Sequence, residues 1–120
     1  MIARLMGLRT MSPKELARRL DREPLALFDT NSKGSWERAH LPGARPLDPT
    51  RFGPEDLPAD RAASIVFYCS GPLCRKAPLA ARRARDLGYT NAVVLSAGIS
   101  GWIDAGLPTE TAPERDGETR

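Results

Sequence analysis

The run Ser64-Ile65-Val66-Phe67-Tyr68-Cys69 constrains this chain most, because it carries no charge and is largely β-branched or aromatic. A strand without polar alternation has to be covered on both faces, which is the condition of a central strand in a parallel sheet. Two more short apolar runs fit beside it. Leu25-Ala26-Leu27-Phe28-Asp29 lies between Pro24 and a polar stretch reaching Gly34, and Ala92-Val93-Val94-Leu95 follows Gly88. A fourth, shorter strand is expected near Arg45 to Leu47, after the turn Leu41-Pro42-Gly43-Ala44.

Helical signals separate these runs. Ser12-Pro13-Lys14-Glu15 reads as a capping box with Pro at the first helical position, and Leu16 and Leu20 continue it on one face toward Glu23-Pro24. Ser35 to His40 is expected to form a helical turn capped by Ser35. From about Arg75 to Leu87 the chain is rich in Ala and Arg, with Ala80, Ala84 and Leu87 on one face and Arg82, Arg83, Arg85 and Asp86 toward water. Gly88 ends that helix, and Ile99 to Ala105 forms a short one ending at Gly106. The proline-rich segment from Asp48 to Asp60 is a surface connection with one helical turn. Short strands alternating with helices predict an α/β domain with a mainly parallel sheet.

With 120 residues the chain has room for one core. No apolar stretch approaches the roughly 18 residues of a membrane span, and Arg4 and Arg9 interrupt what could have been the apolar part of a secretory leader. A cytoplasmic location is therefore expected, without a membrane partner. The net charge of +3 comes from scattered basic residues. That balance suits small anions and offers no basic stripe for nucleic acid. Two cysteines and one distant histidine lack any usual zinc spacing, so neither metal nor cofactor is expected.

The chemistry concentrates in Cys69-Ser70-Gly71-Pro72-Leu73-Cys74-Arg75, with Lys76 next to it. Ligands of an open parallel sheet gather beyond the carboxyl ends of the strands, where Cys69 would stand. Gly71 permits close backbone approach, Pro72 stiffens the turn, and the following helix offers free amides to an anion. A thiol of ordinary pKa, about 8.5, is only about 3% thiolate at pH 7. Lowering that pKa to about 6.5 requires about 2.7 kcal/mol, more than the roughly 0.3 to 1 kcal/mol of a helix dipole. Backbone amides, Arg75 and Lys76 are expected to supply the rest.

The same residues admit plainer roles. Cys69 could be a small buried hydrophobe, and Cys74 a resolving thiol, a second sulfur acceptor or a passive loop residue. His40, the only histidine, reads as structural, as do Trp36 and Trp102.

Several segments together resemble the single-domain rhodanese-like sulfurtransferases. They are Asp29 at a strand end, Trp36-Glu37-Arg38-Ala39-His40-Leu41-Pro42-Gly43-Ala44, Val66-Phe67-Tyr68-Cys69, Leu87-Gly88-Tyr89, Gly98-Ile99-Ser100-Gly101-Trp102 and Ala105-Gly106-Leu107-Pro108. The resemblance implies a rhodanese-like fold: a mainly parallel five-stranded sheet flanked by helices on both faces. On this reading residues 1–11 form an N-terminal extension, 12–110 the domain and 111–120 a disordered polar tail. It also implies that Cys69 is the nucleophile, taking sulfane sulfur from thiosulfate or a persulfide donor and passing it to cyanide or a thiol, with a protein as a further possible acceptor. Ser70 to Lys76 would bind the substrate, with Asp29, Asn31 and His40 supporting the site.

Two positions depart from the pattern. Asn31 stands where the family often has Arg. The loop has five residues between Cys69 and Arg75, one more than in common sulfurtransferases. That longer spacing is the form of cell-cycle and tyrosine phosphatases, so a phosphatase or arsenate reductase-like activity is the alternative, and a non-catalytic binding module the third reading. Tyr68 in place of the phosphatases' usual His, and the absence of a hydroxyl from Pro72 and Leu73, favour sulfur transfer.

Overall fold

In a computed structural model that describes residues 2–112, each apolar run becomes a strand and the linking segments become helices. In chain order these are α1 (Ile2–Leu5), β1 (Arg9–Met11), α2 (Pro13–Leu20), β2 (Ala26–Asp29), α3 (Lys33–Arg38), β3 (Arg45–Pro46), β4 (Ile65–Tyr68), α4 (Lys76–Asp86), β5 (Ala92–Leu95) and α5 (Gly98–Asp104), with one 3-10 turn at Pro54–Asp56. The five strands are all parallel and run in the order β1-β5-β4-β2-β3, which places β4 at the centre. All four of its residues are buried.

Side chains alternate across the sheet and divide the core in two. Phe28, Ile65, Phe67 and Cys69 face α4 through Ala77, Ala80, Ala81 and Ala84, together with Ala3 and Leu8. Leu27, Val66 and Tyr68 face Leu16 of α2 and Trp102 of α5. The alanines let α4 lie close to the sheet, and Arg83 fastens the proline-rich connection to it: its Nε donates to the Phe52 carbonyl at 2.9 Å.

The ends of several elements differ from expectation. Residues 1–11, read as an extension, include the edge strand β1, which pairs with β5 from Arg9↔Val93 to Met11↔Leu95. With only three residues, β1 is too short to display an alternating pattern. α2 stops at Leu20 instead of running toward Pro24, with Asp21 as its C-cap. α3 starts earlier than expected: Ser32, not Ser35, is its N-cap, accepting the Ser35 amide. At the other end, the polar tail expected from 111 is still held at Ala112, whose N–H donates to the Glu37 carbonyl at 2.9 Å. Residues 113–120 lie outside the described residues. None of the described helices is long and apolar enough to cross a membrane.

Candidate active site

β4 delivers Cys69 to the carboxyl edge of the sheet, and the next turn of chain is clamped from beneath by α5. The Cys69 and Ser70 carbonyls accept the amides of Ile99 at 2.9 Å and Ser100 at 3.0 Å. Gly98 makes this approach possible. Its φ is +66°, and a Cβ there would lie 2.5 Å from the Gly71 nitrogen and 2.7 Å from the Cys69 carbonyl oxygen. Only glycine fits such a contact at positive φ.

Above this base the loop folds back on itself. The Cys74 amide donates to the Gly71 carbonyl at 3.2 Å, closing a turn around Pro72 and Leu73. Cys69 and Cys74 are joined as a disulfide, with their Cα atoms 6.4 Å apart. The turn carries Cys74 back over the strand end, which brings it to Cys69. Leu73 projects at the tip, 82% exposed. Ser70, Pro72, Arg75 and Lys76 are also exposed.

The Cys69 sulfur is turned inward. Cys69 is 2% exposed, and the Ala77 amide in the first turn of α4 donates to its Sγ at 3.5 Å. Pro78 sits in that same turn, where proline is tolerated because an early helical amide has no partner within the helix, so the helix begins immediately after Arg75. The space against Cys69, bounded by Gly71, Pro72, Cys74 and Pro78, is about 10 Å³. In this disulfide form it cannot admit a tetrahedral anion.

Asp29 and His40 lie across the sheet from the sulfur. Tyr68 points to the α2 and α5 side while Cys69, one residue on, points to α4. Asp29, paired in register with Tyr68, is fully buried and accepts the Tyr68 hydroxyl at 2.7 Å and the Asn31 amide at 2.8 Å. Burial pushes the Asp29 carboxyl above its ordinary value, against the opposing effect of these hydrogen bonds. Burial, then the neighbouring Asp29 charge, pushes the Tyr68 phenol up. His40 is bound within its own segment: Nδ1 donates to the Trp36 carbonyl at 2.6 Å and the ring stacks on Trp36. Of the three supporting residues expected from sequence, Asp29 ties the ends of β2 and β4 and His40 is held within its own segment, both away from the sulfur, while Asn31 lines the cleft beside the loop.

Sequence reasoning passed over the groups that hold the loop: the amides of Ile99 and Ser100, the Ala77 amide, and Thr30, whose hydroxyl and amide both donate to the Tyr68 carbonyl at 3.0 and 2.9 Å. The Gly98 that follows the last strand was the one visible signal. A cleft of about 500 Å³ opens beside the loop at the ends of β2 and β3. Thr30, Asn31, Lys33, Asp48, Thr50 and Lys76 line it together with Pro46, Leu47 and Pro49, so an apolar floor carries two cations against one carboxylate.

The family model for the Rhodanese-like domain matches residues 12–105. The chain belongs to the rhodanese-like family. Among sequence relatives, the rhodanese-like chain is 36% identical over 107 residues to the HTH-type transcriptional regulator Rv0324 of Mycobacterium tuberculosis, covering 87% of this chain and 46% of that protein. The chain spans about half the length of the curated relatives it matches. Among solved structures, it resembles a thiosulfate sulfurtransferase from Pseudomonas aeruginosa with a TM-score of 0.77 and 26% identity, over 88% of this chain and 20% of that one. The BH2092 protein from Bacillus halodurans has the same fold, with a TM-score of 0.78 and 21% identity over 86% of this chain and 77% of that one. The five-stranded parallel rhodanese-like fold expected from the sequence is the one observed.

Proposed function

We propose that this rhodanese-like domain is a sulfurtransferase that carries sulfane sulfur as a persulfide on Cys69. The observation that carries the proposal is the setting of the Cys69 sulfur, which ends the central strand and receives a helix-head amide from Ala77, with Arg75 and Lys76 beside it. An amide at a helix N-terminus favours a sulfur anion, whether thiolate or persulfide. The cations attract an anionic donor. Once the disulfide is reduced, the Cys69 thiolate attacks the outer sulfur of thiosulfate, the S–S bond breaks, and sulfite departs with the bonding electrons. Cyanide or a thiolate then removes the outer sulfur and regenerates the Cys69 thiolate.

A second reading rests on the Cys-x5-Arg spacing from Cys69 to Arg75, which suits a phosphate cradle. Pro72 and Leu73 bring no hydroxyl to such a cradle, and the turn they form is drawn tight by the Cys69–Cys74 pair. A side-by-side assay of thiosulfate with cyanide and of a small aryl phosphate, on the reduced protein and on Cys69→Ser, separates the readings. Thiocyanate formation that is lost in Cys69→Ser is expected. Aryl phosphate turnover without thiocyanate overturns sulfur transfer, and loss of neither activity in Cys69→Ser removes the cysteine from the chemistry.

A further inference from the structure

We infer that Cys74 discharges the Cys69 persulfide internally, so that the domain releases hydrosulfide and behaves as a dithiol-dependent reductase of sulfane sulfur; the inference rests on the proposed persulfide. The juxtaposition that carries it is the Cys69–Cys74 bond across a loop whose two ends are fixed independently of it. At the base, the Cys69 and Ser70 carbonyls are held by the Ile99 and Ser100 amides. At the far end, Arg75 caps α4, and the Leu79 amide donates to its carbonyl at 3.0 Å. The turn closed by the Cys74 amide on the Gly71 carbonyl already returns Cys74 to Cys69, so the second thiol sits at the first without a partner protein.

Such a neighbour changes the fate of a persulfide. An external acceptor has to diffuse to the persulfide, whereas Cys74 reacts within the same loop at high effective concentration. The Cys74 thiolate attacks the Cys69 Sγ. The bond from Sγ to the outer sulfur breaks, and the outer sulfur leaves with the electron pair as hydrosulfide, keeping the persulfide proton. The sulfane sulfur is reduced by two electrons and the two cysteines are oxidised to their disulfide. A dithiol reductant of the thioredoxin or dithiothreitol class then returns two electrons and two protons to the pair. The sum is thiosulfate plus a dithiol giving sulfite, hydrogen sulfide and a disulfide. The sealed, disulfide-bonded loop is the resting product of that cycle.

The test uses the reduced full chain, freed of reductant without air, mixed with excess thiosulfate and followed by sulfide determination and intact mass. Wild type is expected to release one hydrosulfide per chain, stop, and end two hydrogens lighter with no added sulfur. Dithiothreitol then restores continuous release. Cys74→Ser, and independently Cys74→Ala, are expected to gain one sulfur atom and release no sulfide without reductant. Their sulfur uptake also reports that they fold. If wild type keeps the added sulfur as the variants do, internal discharge is overturned while the persulfide on Cys69 stands. If neither wild type nor variant gains or releases sulfur, the persulfide itself fails and the inference falls with it.

Discussion

The Tyr68 hydroxyl donates to Oδ2 of Asp29 at 2.7 Å and accepts the Leu41 amide at 3.0 Å, so one buried phenol ties the ends of β2 and β4 to the segment that follows α3. Tyr68→Phe leaves a buried carboxylate short of a donor and a buried amide without an acceptor. At about 1 to 3 kcal/mol for each unsatisfied group, the loss of stability is expected to be about 2 to 6 kcal/mol. Urea unfolding measures it, and an unchanged midpoint contradicts the bridge.

The raised Asp29 carboxyl makes a pH prediction of definite sign. The folded chain holds this proton more tightly than the unfolded chain, whose Asp titrates near 3.9. The contribution of Asp29 to stability is therefore greatest below that value and falls as pH rises through the higher folded one. In Asp29→Asn this dependence is absent. The stability of the variant relative to wild type is expected to improve as pH rises across that window and then level off. A difference that stays flat from pH 3 to pH 7 contradicts the shift.

Gly98→Ala places a Cβ against the backbone of Ser70 and Gly71 at a φ that disfavours any side chain. The positive φ alone costs about 1 kcal/mol, and relieving the contact displaces the loop. Lower thermal stability is expected together with loss of most Cys69-dependent sulfur transfer. Gly106→Ala provides the control: it has a similar φ of +78° with nothing near its Cβ, and is expected to affect stability but not transfer.

Arg75 is exposed at the rim of the loop, so its attraction for an anionic donor is that of a charge in water, about 1 kcal/mol at 4 Å. Arg75→Ala is expected to raise KM for thiosulfate about fivefold at low salt, with the gap closing as salt is added. Steady-state kinetics at two ionic strengths decides it.

Arg82 and Arg83 are neighbours in sequence but not in role. Arg83→Ala is expected to cost about 1 kcal/mol through the lost bond to Phe52 and the packing of the guanidinium over its ring, while Arg82→Ala stays within about 0.5 kcal/mol of wild type. Equal effects contradict the assignment.

Much of the frame was legible because burial writes itself into the chain. A strand covered on both faces has to be apolar throughout, as Ile65 to Tyr68 is, and a helix against a sheet needs small residues on one side, as Ala77, Ala80, Ala81 and Ala84 provide. β1 was not legible, since three residues pairing at an edge carry no period. The Ser32 cap was hidden by Ser35 three residues on, which satisfies the same chemical preference.

The site divides in the same way. Chain order and residue type are enough to put Cys69 at the end of the central strand and Cys74 five residues further along. It takes the folded chain to bond Asp29 to Tyr68 on one face of the sheet with the Cys69 sulfur on the other, and to set α5 against the loop from below. Those relations depend on register and on which strands become neighbours. Such contacts are formed by residues far apart in the chain, and no local pattern encodes them.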